Sequence, residues 1–335
     1  MKKFIIFLMC VPHILFAGIG LSASSPEKNV LTIYSGRSEE LVGPIIAEFK
    51  EKSGIEVNVR YGGTSELAAT ILEEGKRSPA DIFWAQDPAG LGAVNHLFTK
   101  IPDEIMDRAG VQFRSLTGKW VGISGRARAV VYNSEKLKEE DLPDDIRGFT
   151  DPVWNNRIGW APTNGSFQAM VTAMRVLWGE DETSKWIEGI QANNPKFYPK
   201  NTPIVAAVGA GEVDVGFVNH YYLLRFIIER GDEFPARNYH PRAGGPGNII
   251  LVSGAGVFDT SDNKEESWRF LEFILSPAAQ QYFAGKTFEY PVVEGIQTHR
   301  MVLSLSDIMS PRIDVSELED LKGTLDLLRE TGVLP

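Results

Sequence analysis

Two tyrosines, Tyr221 and Tyr222, stand side by side in VNHYYLL, directly after an apolar run that reads as a strand. A phenol hydroxyl needs a partner once it leaves water. Adjacent residues in the first turn of a helix lie about 100° apart, so both can reach one ion. Paired phenolates suit a hard, highly charged cation, which displaces their protons despite a free pKa of about 10. The competing reading is structural: Tyr221, Leu224 and Ile228 fall on one helical stripe, which would put Tyr221 in a core.

Other residues favour an anion. In PTNGSFQAM, Asn164 reads as the N-cap of a helix, with the amides of Gly165 and Ser166 free to hold a carbonate or phosphate at its positive end. An ordinary capped helix is the plain alternative. Arg37, beside Ser38, and Arg126 or Arg128 offer guanidinium forks. Asn201 and Asn219 flank predicted strand ends and either donate to the same anion or fix their own turns. Gln86, Asp87, Tyr61 and Trp160 complete the residues expected to line a cleft, whereas Trp84, inside an apolar strand, reads as core. The histidines, His13, His96, His220, His240 and His299, have no metal-ligand spacing. His220 is expected to pack under its helix, away from the phenols. No GxSxG, CxxC, HExxH or phosphate-loop pattern appears. No enzyme is expected, and the rival reading of a secreted hydrolase lacks a nucleophile and base at recognisable spacing.

These residues need a scaffold. VLTIYS reads as a buried strand, SEELVGPIIAEFKEKSG as an amphipathic helix, and IEVNVRY as an alternating strand. A helix follows with Thr64 or Ser65 as cap, then the strand ADIFWAQ and helical PAGLGAVNHLF. Three strand–helix units predict a parallel-rich sheet with helices on both faces. After Ser124 come a strand at 127–132, helices from Ser166 and Glu182, helical TPIVAAVGAGE and the strand VDVGFVN. LVSGAGVF is strand again, followed by KEESWRFLEFIL, SPAAQQYFAG and one last helix through SELEDLKGTLDLLRE. The pattern gives two α/β lobes, 30–130 with 251–303 and 131–250 with 304–335, joined by two crossings near Val130 and Ile250. Ligands of open α/β sheets sit beyond the carboxyl ends of strands. That rule selects 35–38, 86–87 and 219–222, three separate segments converging on one cleft.

The N-terminus bounds the compartment. MKK precedes an apolar run and then LSASS, the pattern of a secretory leader over 1–24 that is cleaved near Ala23. Pro12 and His13 inside the run argue against a spanning anchor. The only cysteine, Cys10, leaves with the leader, so no disulfide supports the mature chain. Losing Lys2 and Lys3 takes the formal charge from −10 to −12. That balance opposes binding to nucleic acid or an anionic membrane. A monomer that closes on a small solute is expected.

IYSGRSEEL, TSELAATILEEGKRSPADIFWAQ, ISGRARAVVYNSEKL, IGWAPTNGSFQ, NHYY and FEYPVV together resemble the periplasmic ferric iron-binding proteins that feed ABC importers. The resemblance covers nearly all of the mature chain. It implies the two-lobe, type II periplasmic binding protein fold, with Tyr221 and Tyr222 coordinating Fe3+ in the cleft. It also implies a synergistic carbonate or phosphate and a membrane permease as partner. The chain departs from the family where other members carry histidine, glutamate or a third tyrosine: the matching residues are Ser38, Gln86 and Phe167. Two phenolates do not fill a six-coordinate shell, so the rival within the binding class is a metal-free carrier of an oxyanion or small organic anion.

Overall fold

The computed structural model describes residues 30–335 apart from Arg312; the leader expected at 1–24 lies outside the described residues. The first half of the sheet is built from β1 (Val30–Ser35), β2 (Glu56–Tyr61) and β3 (Ile82–Ala85), which pair in parallel in the order β2-β1-β3. All four residues of β3 are fully buried, because helices cover both faces. Burial of a side chain the size of Ile82 or Phe83 contributes about 1.5–3 kcal/mol. Trp84 meets Phe270 and Phe283 edge-on at 5.9 and 6.2 Å, so it is core, as its apolar neighbours predict. The covering helices are α1 (Glu39–Ser53), α2 (Thr64–Glu74) and α3 (Pro88–Val94), with a short α4 (Asp103–Met106).

β4 (Trp120–Asn133) is the spine of the molecule. It is longer than the strand read at 127–132, and all fourteen residues are buried. α5 (Gly165–Trp178), α6 (Glu180–Ala192), α7 (Asn201–Gly209) and α8 (Tyr221–Arg230) follow it, with β5 (Ile158–Trp160), β6 (Lys196–Phe197), β7 (Val215–Asn219) and β8 (Ala236–Tyr239). The chain returns through β9 (Ile250–Val257), α9 (Lys264–Ile274), α10 (Pro277–Tyr282) and β10 (Tyr290–Pro291), and ends in α11 (Leu321–Glu330).

Along β4, residues 120–127 pair with β9 and residues 128–132 with β7, so the strand changes partner at Ala127–Arg128. Parallel order holds in β1–β3 and in β5–β7, while β4 and β9, which run between the two groups, are antiparallel to their neighbours. One chain path out and one back dictates that polarity. The last helix is interrupted: a 3-10 turn over Val315–Leu318 precedes α11, with Asp320 capping the amide of Gly323. β8 carries ARNY, too short and polar for periodicity to reveal it. Among the described residues no helix is long and apolar enough to cross a membrane.

Candidate functional site

The loops after β1, β3 and β7 and the start of α5 meet where the two halves of the sheet face each other. Gly36 makes this approach possible. A Cβ there would lie 2.2 Å from Thr64 Oγ1, which itself accepts the Gln86 amide at 3.0 Å. Neither Thr64 nor Ser65 caps α2; the N-cap is Gly63, which frees the Thr64 hydroxyl for the β3 loop.

α8 starts immediately after β7 because His220 is already helical. Tyr221 and Tyr222 stack with ring centroids 4.2 Å apart. Tyr221 is fully buried, Tyr222 half-buried, and the Tyr221 hydroxyl has no protein partner. The stripe that would have made Tyr221 simply core fails at Ile228, which is 61% exposed. The Tyr221 ring packs in the apolar cluster of the first half, while its hydroxyl is left unsatisfied. Burial, then the adjacent Tyr222, pushes the Tyr221 phenol well above its usual range, and Arg37 and Arg126 pull against that rise.

Three guanidiniums are buried around this pair. Arg126 and Arg128 lie two residues apart on β4 and therefore on one face of it. Arg126 donates to the Gln86 carbonyl and Arg128 to Asn219 Oδ1 at 3.1 Å. Arg37 donates to Glu289 at 2.6 Å. Yet Nε of Arg37, Nε and Nη1 of Arg126, and Nε and Nη2 of Arg128 have no protein partner. Burial brings the Arg128 guanidinium down to about 9 and, with Arg37 beside it, lowers Arg126. Burial acts the same way on Arg37, but Glu289 and the two phenols more than reverse it. Buried donors without acceptors are costly, and a bound anion relieves them.

Not every expected residue joins this cluster. Ser38 is exposed at the start of α1, and its side chain caps nothing. Tyr61 is half-buried beside Glu39 and Gly43. Tyr34 is committed to Glu74 and Arg60. Trp160 packs against Phe167 and Phe197 in the second half's core, though its indole N–H lacks a partner. Phe167 is fully buried there as well. Asn164 does cap α5, but it takes the Ser166 amide at 3.1 Å, so the pair of free amides expected at Gly165 and Ser166 is reduced by one. The Ser166 hydroxyl instead accepts from Asn219 at 3.0 Å and from Gln86. Asn201 opens α7 rather than ending a strand, and donates to Asn164 at 3.4 Å. The His220 ring meets the Tyr221 ring edge-on at 5.8 Å, but both of its nitrogens bond to backbone: Nε2–H donates to the Phe288 carbonyl at 2.7 Å, and Nδ1 accepts from the Ala127 amide at 3.1 Å.

The matched family and relatives decide the class. Residues 44–307 match the model of a bacterial extracellular solute-binding protein. A major ferric iron-binding protein of Neisseria meningitidis is 31% identical over 322 residues, covering 93% of this chain and 96% of that relative. The chain belongs to the periplasmic ferric iron-binding proteins. These are solute-binding transport proteins of the ABC importers, not enzymes. The crystal structure of iron-bound HitA from Pseudomonas aeruginosa superposes with a TM-score of 0.86 at 32% identity, over 90% of this chain and 99% of that one. A Trichodesmium protein, FutA, in complex with iron and citrate, gives 0.75 at 26% identity, over 91% and 99%. Both share the two-lobe, type II architecture.

Two features of this chain were not read from the sequence: the unpartnered oxygen of Asp87, a residue expected to line the cleft, and the pairing of Glu289 with Arg37. Asp87 Oδ1 caps α3 on Gly90 at 3.1 Å while its buried Oδ2 has no partner, and burial raises the carboxyl to about 6. Glu289, deep in FEYPVV, pairs with Arg37; its only signal was a lone carboxylate inside an apolar run. Among the described residues, no cluster of three or more His, Cys, Asp or Glu side chains could hold a metal.

The halves touch directly. Ser65 donates to Gln168 at 2.8 Å, Gln86 to Ser166, and Arg225 pairs with Glu40 at 3.1 Å. A Cβ on Gly165 would lie 2.7 Å from Asp87 Oδ2, whose other oxygen is fixed by its cap. Gly165→Ala is expected to resist this close approach by about 1 kcal/mol, the lower end of an overpacking penalty. Ligand affinity should fall roughly fivefold with the melting temperature unchanged, as measured by parallel titration and thermal unfolding.

Proposed function

We propose that this protein captures Fe3+ from the periplasm through the phenolates of Tyr221 and Tyr222, completes the shell with an anion, and delivers the ion as a monomer to an ABC permease. One observation carries the reading: a stacked tyrosine pair whose buried hydroxyl has no protein partner, set among guanidiniums that also lack acceptors. The names of the Neisseria and Pseudomonas relatives support ferric iron as cargo. Closure of the lobe 30–130 with 251–303 over the lobe 131–250 with 304–335 would exclude water from the ion.

Carbonate or phosphate is the anion that fits this cleft, held by Arg37, Arg126 and Arg128 with Asn219, Asn201 and the Gly165 amide near it. Gln86 and the Ser166 hydroxyl then position the anion side rather than bind metal. A charge-assisted contact of this kind is worth about 1.5–3 kcal/mol, or one to two decades of affinity. Iron titrations in anion-stripped buffer should therefore give an affinity about 10–100-fold below that with bicarbonate, and Arg128→Ala should remove most of the difference. Equal affinity with and without bicarbonate, phosphate or citrate would mean that side chains complete the shell. The three buried guanidiniums keep a second reading in play, a metal-free oxyanion carrier. Tight phosphate binding with no visible colour on adding iron would select it.

A further inference from the structure

Glu289 is 1% exposed and both of its oxygens are engaged. Oε1 takes Arg37 at 2.6 Å, while Oε2 accepts from the Thr287 hydroxyl at 3.0 Å and the Ser124 hydroxyl at 3.3 Å. Such a carboxylate has no freedom to turn. The backbone that delivers it is equally constrained. A π turn over Phe283–Thr287 ends in Phe288, a non-glycine residue with φ 59° in the left-handed region. Strain of this sort persists only where the surroundings impose it, and π turns concentrate at functional sites.

That short segment reaches both sides of the cleft. The Phe288 carbonyl holds His220, the residue that starts the tyrosine helix, and Glu289 holds Arg37, whose charge acts on both phenols. Tyr290 anchors the segment by pairing with Gly125 of β4, one residue from Arg126.

We propose that Glu289 is the positioning residue that fits this cleft for a metal rather than a bare anion. It fixes Arg37 beside the tyrosine pair and cancels one of three buried positive charges. The inference rests on the ferric reading above. Without Glu289 the three guanidiniums would face the cleft with only the Asp87 carboxylate, which acts on Arg126, to offset them, a field that repels a ferric ion and attracts a free oxyanion. With it, the net positive charge is small enough for the phenolates to receive the cation, and the remaining guanidiniums still hold the companion anion.

Two titrations on Glu289→Gln separate this from a structural role. Ferric affinity with bicarbonate should fall about tenfold, and affinity for inorganic phosphate without metal should rise by about the same factor. A residue that merely supports the fold would lower both. The Arg37→Gln/Glu289→Gln variant removes both charges together and should bind iron at least about threefold more tightly than Arg37→Gln alone, which leaves Glu289 buried and unpaired, but less tightly than wild type because Arg37 also holds the anion. It also serves as the test if Glu289→Gln alone does not fold, as judged by circular dichroism. Parallel losses in the single variant, or a double variant as poor in iron as Arg37→Gln alone, would overturn the assignment. Wild-type protein that binds phosphate but no iron would overturn the ferric reading, and the phosphate titration would still judge Glu289.

Discussion

Ferric iron added with bicarbonate to Tyr221→Phe is expected to give no visible phenolate band and an affinity lower by more than about 100-fold. Loss of a hydrogen-bonding partner behind a metal ligand already costs about 10–100-fold, so loss of the ligand itself must exceed that. The substitution keeps the ring, and the wild-type hydroxyl has no protein partner, so packing should be preserved. Removing that hydroxyl also removes an unsatisfied buried polar group, which predicts equal or higher thermal stability in the metal-free protein. Stability and affinity should thus move in opposite directions. Tyr222→Phe should also weaken iron and shift or abolish the band; because Tyr222 is half-buried, its effect on the metal-free melt should be small. A full band in Tyr222→Phe would leave only one phenolate in the shell, and a colourless wild-type protein would remove both.

Acid should release the ion steeply. Binding through two phenols displaces two protons, since Tyr221 at least is held well above its ordinary range by burial and stays protonated without metal at neutral pH. Apparent affinity should then fall about 100-fold for each pH unit below neutrality, tenfold per proton. Competition against a chelator of known protonation measures the slope between about pH 7 and 5. His220 is not the sensor in that window: burial lowers it to about 4, and its Nε2–H and Nδ1 are bonded to the backbone. His220→Gln should preserve the slope, and a flattened slope would assign proton release to the histidine. Asp87 does titrate in the window, near 6, so Asp87→Asn is the necessary control and should change the slope by no more than one proton.

The stability sign differs from the binding sign and must be followed separately. A histidine held near 4 in the fold, against about 6.5 unfolded, lets the unfolded chain take up its proton first. Stability from His220 is fully present above about 6.5 and is lost as pH falls toward 4. Iron release between about pH 7 and 5 should precede unfolding, which circular dichroism on the same samples will show.

Much of the scaffold was legible in the chain because it is local. The alternation and apolar runs that make β1, β2 and β3, the helices between them, and the Asn164 cap depend on neighbours within a few residues. Even the tyrosine pair at the end of β7 was visible, since a strand-to-helix junction is a local event. The site's electrostatics were not. Whether Tyr221 is core or ligand turns on Ile228 lying in solvent and on a hydroxyl with nothing to bond, both consequences of how α8 docks across the two halves. Ser38 follows a strand as expected, yet it faces solvent, while its neighbour Arg37 is buried. The partner that explains Arg37 lies 252 residues away, in a carboxylate with no local reason to be charged. Periodicity records which face of an element is apolar. It carries no information about which distant charge will be buried beside it, because that is decided only when β4 and β9 bring the strand ends together.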